Sequence, residues 1–453
     1  MTTASITSAA EQPIRSQTIR QPSLPDILAQ HAEQAGFLFE QRTAMTTAAN
    51  IGLKELAWHD EQIDAHLDGL RLAGPESWNI IQTTLDPGTP GGLFVAMVLT
   101  LETRDTPRLK QLLAYGETNT AAQPGLIWAF EWAAQTFTQP LLAPLLTSRS
   151  PFYRRIGLRL LGRHALQGAT EWERALSDTD PALQIQALQA IAECGTTTLL
   201  PHCLALAQSG QGEVCFWAAR AAALLGEKNQ SVAQLVPWAQ TPNRLQLQAT
   251  TLLANIIPIA EAQPFLTHLA RQGMDRRLLV RLAGELGDPA SLPALLRLLP
   301  DTALGRLAGQ AFSMITGVNL VEQNLDRPAP DTVSVGPTDS AEDNDVASDP
   351  DQSLPWPDAE NISRYWSQRK DKPGPGIRHL LGKPVTPATC HTTLRTGFQP
   401  QRATAALQLK LLQPAQPMFC IDAPAWRQQQ ALPATAETNQ TTNAGPRNLP
   451  DPR

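Results

Sequence analysis

Residues 285–299 read ELGDPASLPALLRLL, which places a helix end, a turn and a second helix in one short stretch. Gly287 follows an apolar helical run, and glycine readily takes the left-handed conformation that closes a helix. Pro289 stands in the turn, where a missing N–H costs little. The leucines of SLPALLRLL then return at helical spacing. This stretch predicts a helix–turn–helix unit.

The same unit recurs between residues 150 and 320, in segments such as LQIQALQAIAECGTTTLL and CFWAARAAALLGEKNQ. The residues that close the first helix of each unit follow one another at nearly constant intervals. A fixed interval of this size, about one helix pair in length, is the sequence signature of a helical repeat. The closing residues are Gly162, Gly195, Gly226, Asn255, Gly287 and Gly317.

A helix pair of this length cannot bury its apolar face alone, so it must stack on its neighbours. The pattern continues upstream in GGLFVAMVLTLETRDTPRLKQLLAY and PGLIWAFEWAAQTFTQPLLAPLLTS. We therefore expect an all-α protein with an α-solenoid of about seven or eight helix pairs over residues 86–320. A helical region at 23–85 precedes it.

The composition excludes several protein classes. A net charge of −6 argues against nucleic-acid binding, whose affinity comes largely from Lys and Arg on phosphates. The apolar stretch 91–101 is too short to cross a bilayer, and no apolar run near the N-terminus resembles a secretory signal. Five cysteines without a CxxC pair fit reduced thiols. We expect a soluble cytoplasmic protein without membrane insertion.

The character of the chain changes beyond Gly317. Residues 326–352 carry eight acids against one arginine, which predicts that 321–352 is a disordered acidic linker. Residues 353–430 carry ten Lys or Arg against four Asp or Glu, which predicts a small basic module. Its fold, and whether the linker contacts it, stay open at this stage. The ends, 1–22 and 431–453, read as disordered.

A carboxylate-rich stretch, HDEQIDAHLDGLRLAG at 59–74, invites a chemical interpretation. His59 and His66 lie about 10 Å apart on a helix, too far to share one metal ion. Asp68 has Arg71 as a nearby ion-pair partner. Gly69 indicates close packing against another backbone, and Gly74 ends the helix. A solvated amphipathic helix is favoured over a partner-binding face or a metal or catalytic site; its apolar stripe is Leu56, Ile63, Leu67 and Leu70.

No motif for catalysis or cofactor binding is present. The stretch GTPGG at 88–92 lacks the Lys-Ser/Thr ending of a phosphate loop, and no GxSxG occurs. Cys194 and Cys203 lie in apolar surroundings and are expected to be buried structural thiols. We expect no catalytic residue, no cofactor and no metal ligand.

The basic module offers the clearest interaction signal. Its cations and aromatics suit an acidic partner protein, with the alternative that they form only the basic surface of a small accessory domain. The candidate interaction residues are Trp366, Arg369, Lys370, Arg378, His379, Arg395 and Arg402.

The 285–299 stretch also resembles a HEAT-like repeat of the phycobilisome-lyase type. Those repeats carry a G-D-x-x-x-x-P-x-L-x-x-L turn and helix. Taken with HDEQIDAHLDGLRLAG and with PGIRHLLGKPVT at 375–386, residues 24–430 resemble a family of uncharacterised bacterial HEAT-repeat proteins. The matching repeat residues are Gly287, Asp288, Pro293, Leu295 and Leu298.

The resemblance implies a function class and assigns no catalytic residue. Genes of this family often lie near type VI secretion components, which implies a non-enzymatic scaffold or adaptor for a secretion effector or spike-associated protein. The alternative is a lyase-like enzyme or cofactor carrier of the HEAT-repeat kind. Gene neighbourhood distinguishes the two. The expected structural landmarks are Gly69, Gly74, Gly162, Gly195, Gly226 and Gly287.

Overall fold

The computed structural model describes residues 24–163, 169–330 and 349–433. Helices dominate these ranges, and the expected all-α class is confirmed. The first seven helices are α1 Pro25–Met45, α2 Leu53–Ala73, α3 Pro75–Thr84, α4 Pro90–Thr103, α5 Thr106–Thr118, α6 Gln123–Trp132 and α7 Gln135–Leu146.

The region of the sequence repeat holds the next eleven helices of the described ranges. Each of three short 3-10 turns, Thr197–Leu199, Ile259–Glu261 and Pro289–Ser291, leads into the helix that follows it. The helices are α8 Pro151–Arg163, α9 Ala169–Leu176, α10 Pro181–Cys194, α11 Leu200–Ser209, α12 Glu213–Leu224, α13 Gln230–Gln240, α14 Gln246–Ile256, α15 Ala262–Arg271, α16 Arg276–Leu286, α17 Leu292–Leu298 and α18 Gly305–Thr316.

The C-terminal region adds α19 Ala359–Gln368, α20 Pro387–Thr396, α21 Gln399–Leu412 and α22 Ala425–Ala431. Two minimal antiparallel pairs accompany them. Strand β1, Asp326–Arg327, pairs with β2, Trp356–Pro357, and β3, His379–Leu380, pairs with β4, Lys383–Pro384.

The ends of the repeat helices explain most of the sequence pattern. Four of the six aligned closing residues take positive φ at a helix end: Gly195, Gly226, Gly287 and Gly317. Aspartate caps several starts; Asp180, for example, accepts a hydrogen bond from the Ala182 N–H at 2.8 Å.

Two of the aligned positions do not close a helix. Gly162 lies inside α8, where a Cβ atom would come within 2.9 Å of the Ala190 Cβ on α10. Asn255 lies inside α14 and accepts a hydrogen bond from Gln408 Nε2 through its side chain at 2.6 Å. These residues serve helix contacts, so their expected role as helix ends is wrong.

Alternate helices of the repeat region pack on one another. Helix α10 contacts α8 and α12, and α16 contacts α14 and α18. Helices α8, α10 and α12 share one apolar core, to which α14 also contributes, and helices α16 and α18 share another. Alanine allows the close approach, because five alanines of α12 are buried: Ala218, Ala219, Ala221, Ala222 and Ala223.

Helix α2 contains most of HDEQIDAHLDGLRLAG and forms a hairpin with α1. The expected apolar stripe is confirmed, since Leu56, Ile63, Leu67 and Leu70 have no exposed surface. Gly74 ends the helix at φ +58°, as expected. Close packing at Gly69 is present but involves a side chain instead of a backbone: a Cβ there would lie 2.7 Å from the His31 ring.

The expected disorder at 1–22 lies outside the described residues, as do 331–348 of the acidic linker and 434–453 of the tail. The described ends of the linker contact the helices. Asp349 accepts hydrogen bonds from Arg306 at 2.5 and 2.9 Å, and Asp351 accepts one from Arg277 at 2.5 Å. Within the described ranges, no helix combines the length and apolar content that a membrane span requires.

The C-terminal segment, residues 378–428, meets the carboxyl ends of several earlier helices. His379 N donates to Gly287 O at 2.8 Å, and Met418 N donates to Glu193 O at 2.7 Å. Further along, Arg427 Nη2 donates to Ala133 O at 2.6 Å. Between these contacts the segment passes beside Gly226 at Pro414 and beside Gly195 at Ala415.

Candidate functional site

The predicted cation cluster is largely turned inward. Arg402 has no exposed surface, and its Nε donates to Leu394 O at 2.8 Å. Arg378 donates to Ala254 O, Leu286 O and Ile257 O at 2.8–2.9 Å, and burial lowers the pKa of its guanidinium to about 10. These two cations are held by backbone carbonyls of their own chain.

The remaining candidates occupy separate places. Trp366 is buried and packs edge-on against Phe312, and His379 is buried beside Gly287. Arg369 and Lys370 follow at the end of α19, where Arg369 is half-buried and Lys370 is exposed. Half-buried Arg395 donates to Pro433 O. The seven side chains therefore do not form one exposed basic patch.

Helix carboxyl ends explain why this segment is basic. The last carbonyl groups of a helix lack partners within the helix and carry a partial negative charge. Arg378 donates hydrogen bonds to carbonyl groups at the carboxyl ends of both α14 and α16. The sequence predicted that Arg378 binds acidic groups of a partner protein. In the structure it binds carbonyl groups of its own chain instead.

Five of the nine large hydrophobic residues that are exposed in the described ranges belong to the first helix hairpin and the residue before it: Leu24, Ile27, Phe37, Trp58 and Leu72. Two contacts set its register: His59 Nε2 lies 2.8 Å from Leu38 O, and His31 Nδ1 lies 3.0 Å from His66 Nδ1. This register puts exposed Phe37 level with Trp58. It puts exposed Ile27 level with Leu72.

The exposed fractions on this hairpin are large. Trp58 is 65% exposed, Leu72 is 90% exposed and Phe37 is 55% exposed. Trp58 and Leu72 lie about four turns apart along one side of α2, a distance of about 21 Å. We call the exposed surface of α1 and α2 the hairpin face.

The hairpin face is strongly acidic. Lys54 is its only exposed cation among residues 24–73. Arg71 is shared among three carboxylates, with Asp68 at 2.6 Å, as expected, and Asp64 and Glu102 at 2.8 Å. The exposed carboxylates include Asp26, Glu33, Glu40, Glu55, Glu61 and Asp68.

A buried ion pair inside the hairpin escaped the sequence interpretation. Asp60 is 1% exposed and receives Arg42 Nε at 2.5 Å. Its other oxygen accepts from Ala425 N at 2.7 Å, while Arg42 also donates to Asp422 O and Ala423 O at 2.9 Å. The expectation of a solvated amphipathic helix is wrong at Asp60, because nothing in the local sequence indicates a partner near the C-terminal end of the described residues.

A cavity of about 660 Å³ lies between the C-terminal segment and α6 and α8. Glu131 lines it, is 2% exposed and holds Arg159 and Arg163 with its Oε1. Its Oε2 is buried without a partner, and so is the Nδ1 of His391, which also lines the cavity. Loop residues Met418 and Phe419 supply an apolar wall.

The cations that line this cavity have different hydrogen-bond partners. Lys410 Nζ donates to Pro414 O at 2.7 Å and Gln416 O at 2.8 Å, and burial lowers its pKa to about 8. Arg163 donates to the Cys420 thiol at 2.6 Å. Burial raises the pKa of Cys420 well above its ordinary value, which keeps it a thiol and a weak nucleophile.

All five cysteines are free thiols. Cys203 is fully buried, as expected, and Cys194 is half-buried. Among the described residues, no three His, Cys, Asp or Glu side chains group as a metal site.

No protein-family model, curated protein or solved structure matches this chain.

Proposed function

We propose that this chain is a protein-binding adaptor whose repeat region is an α-solenoid of HEAT-like helix pairs. The nearly constant interval between the six aligned residues supports the repeat architecture, and four of them lie at helix ends. Contacts between alternate helices of the repeat region support it too. Such arrays present long surfaces that hold other proteins.

The hairpin face carries the proposal. Trp58 and Leu72 lie along one side of α2, and exposed apolar side chains on a shared surface mark interaction sites more often than singly scattered ones do. Tryptophan, the type of Trp58, is enriched among the residues that dominate binding energy, and phenylalanine, the type of Phe37, is enriched in protein interfaces. The partner would present an apolar surface with basic surroundings, because exposed carboxylates flank this face.

The identity of the partner rests on the family resemblance. On that basis the partner would be an effector or spike-associated component of a type VI secretion machine. The C-terminal cations are a weaker choice of contact surface, since Arg378 and Arg402 are already bonded within the chain. Lys370 and Arg369 remain accessible at the end of α19.

A lyase-like enzyme or cofactor carrier is the second function that the resemblance suggests. Cys420 is the thiol that lines the cavity described above, but its raised pKa disfavours attack on a ligand. Absorbance or elemental analysis of the purified protein tests this alternative, and a bound chromophore or metal would displace the adaptor.

The test of the adaptor combines affinity purification with matched variants. Trp58→Glu and Leu72→Glu together place charges on the hairpin face, whereas Leu247→Glu changes an exposed leucine on α14. We expect one specific protein to be lost with the double variant and kept with the control. The same purified protein should bind the unaltered chain with a measurable Kd that the double variant weakens at least tenfold.

Recovery of only the chain itself and general chaperones would contradict the adaptor. Equal binding by the double variant and the control would show that the partner does not bind at the hairpin face. Light scattering on the purified chain distinguishes self-association from binding to a different protein. If the unaltered chain dimerises and the double variant does not, the partner is a second copy of the chain.

A further inference from the structure

We propose that the cavity beside Glu131 binds an amino acid or dipeptide with apolar side chains. The cavity is separate from the hairpin face, so this binding does not depend on the adaptor function. Its volume of about 660 Å³ lies within the range of small-molecule sites. The ammonium group, the carboxylate and the apolar side chain of such a ligand each have complementary residues in the cavity lining.

The ammonium group would bind at Glu131. This carboxylate is almost wholly buried, and its Oε1 is engaged by Arg159 and Arg163 while its Oε2 has no partner. A buried carboxylate oxygen without a donor is costly, and nearly all buried polar atoms are paired. An ammonium N–H supplies the missing donor when the Glu131 carboxylate turns this oxygen, which has almost no accessible surface, toward the cavity. The unpartnered Nδ1 of His391 offers a second polar contact on the same cavity.

The carboxylate would bind at Arg427 and Lys410. Both line the cavity, together with Arg163. The only hydrogen bond that the Arg427 side chain makes to the described residues is from Nη2 to Ala133 O, which leaves the rest of the guanidinium for a ligand. Lys410 Nζ donates to two carbonyls and retains one N–H. Three cations against one carboxylate favour an anionic group in this lining.

The apolar side chain would lie against the loop. Leu409, Met418 and Phe419 line the cavity, and methionine adapts to ligands of different shape. A single leucine or phenylalanine leaves room in this volume, and a dipeptide of such residues fills more of it. The shared recognition chemistry is one ammonium, one carboxylate and an apolar body.

Calorimetry with the full chain tests the proposal without any mutation. The probes are L-phenylalanine, L-leucine and the dipeptide Leu-Leu, which distinguish a free amino acid from a peptide. The analogues are 3-phenylpropionate, which lacks the amine, and phenethylamine, which lacks the carboxylate. We expect saturable binding of at least one probe, and binding of each analogue weaker by about tenfold or more, since each loses a charged hydrogen bond. No saturable binding at millimolar concentration, or equal binding of probes and analogues, would overturn the site.

Two variants locate the binding. Glu131→Gln keeps the side-chain shape and removes the negative charge that would hold the ammonium group, so phenylalanine and 3-phenylpropionate should then bind equally. Arg427→Gln should weaken phenylalanine at least tenfold, whereas Arg244→Gln, a largely exposed arginine on another surface, should not. Circular dichroism checks that each variant folds. If both arginine variants behave alike, the cavity is not the binding site.

Discussion

One ion pair joins the first helix hairpin to the end of the chain. Arg42 and Asp60 are almost fully buried, and both also bond to the backbone of residues 422–425. Removing one partner of a buried pair leaves the other charge without compensation, which is far more costly than losing an exposed pair.

We therefore expect Asp60→Ala to lower the free energy of unfolding by about 3–5 kcal/mol. Asp68→Ala is the matched control, because Asp68 is 62% exposed and its pair with Arg71 should contribute at most about 1 kcal/mol. Urea unfolding followed by circular dichroism measures both. Similar losses for the two variants would contradict the importance of the buried pair.

The histidine pair of the hairpin couples its stability to pH. His31 and His66 approach within 3.0 Å through their Nδ1 atoms. Burial, and then the charge of His31, lowers the pKa of His66. The unfolded chain binds more protons than the folded chain once the pH falls below about 6.5.

The free energy of unfolding should accordingly fall as the pH drops from neutral through about 6.5, and stay constant above it as far as this group is concerned. His66→Gln removes the titrating group and should flatten that dependence. His202→Gln, on an exposed position of α11, should leave it unchanged. Urea unfolding at several pH values gives the slopes; a slope unaffected by His66→Gln would refute the coupling.

At the scale of elements, small residues set the spacing of the repeat helices. Gly162 on α8 faces Ala190 on α10 so closely that a Cβ would approach the Ala190 Cβ to 2.9 Å. In an exposed helix, alanine is more favourable than glycine by about 1 kcal/mol. At Gly162 this gain in helix propensity is opposed by the steric clash with the Ala190 Cβ. Rotating a side chain cannot relieve the clash, because both atoms are Cβ atoms.

We expect the steric term to dominate, so that Gly162→Ala lowers the free energy of unfolding by about 1–3 kcal/mol. Gly374→Ala is the control, because a Cβ there would meet no atom within 4 Å. Thermal and urea unfolding measure the difference. A stabilised Gly162→Ala protein would show that α8 and α10 are free to move apart.

At the scale of the whole molecule, the C-terminal segment binds across the repeat region. Its contacts run from Gly287 back to Ala133 and Asp60. Just upstream of it, Asp349 and Asp351 bind Arg306 and Arg277. These contacts, and not the covalent link alone, hold residues 349–433 in place.

Cutting the chain between residues 330 and 349 should therefore leave the two fragments associated. An engineered protease site in that interval makes the cut, and size-exclusion chromatography reads the result. We expect co-elution in native buffer and separation in denaturing urea. Fragments that separate in native buffer would contradict a docked segment.

The sequence predicted local features better than distant ones. Helix ends at Gly287 and Gly317 and the buried stripe of α2 follow from spacing and backbone preference, which are local. The roles of Gly162 and Asn255 did not follow, because each depends on a residue of another element.

The candidate site shows the same limit. The basic character of 353–430 was visible, but the carbonyl groups that receive Arg378 belong to helices far earlier in the chain. The unpaired Glu131 oxygen was invisible too, since burial of a carboxylate depends on the cavity around it. Only the folded chain shows which charges are already matched.

The contacts between the C-terminal segment and the first helices have a consequence for biosynthesis. A ribosome releases α1 and the repeat helices well before residues 413–428. Until those residues emerge, Asp60, Arg163 and the carbonyl group of Glu193 lack their final partners. Contacts between distant parts of a chain form slowly because they close long loops. Nascent chains of this protein should thus remain incompletely folded until residue 428 has left the ribosome, and a stop codon slightly upstream of Cys420 would leave the earliest helices without their contacts to residues 422–425.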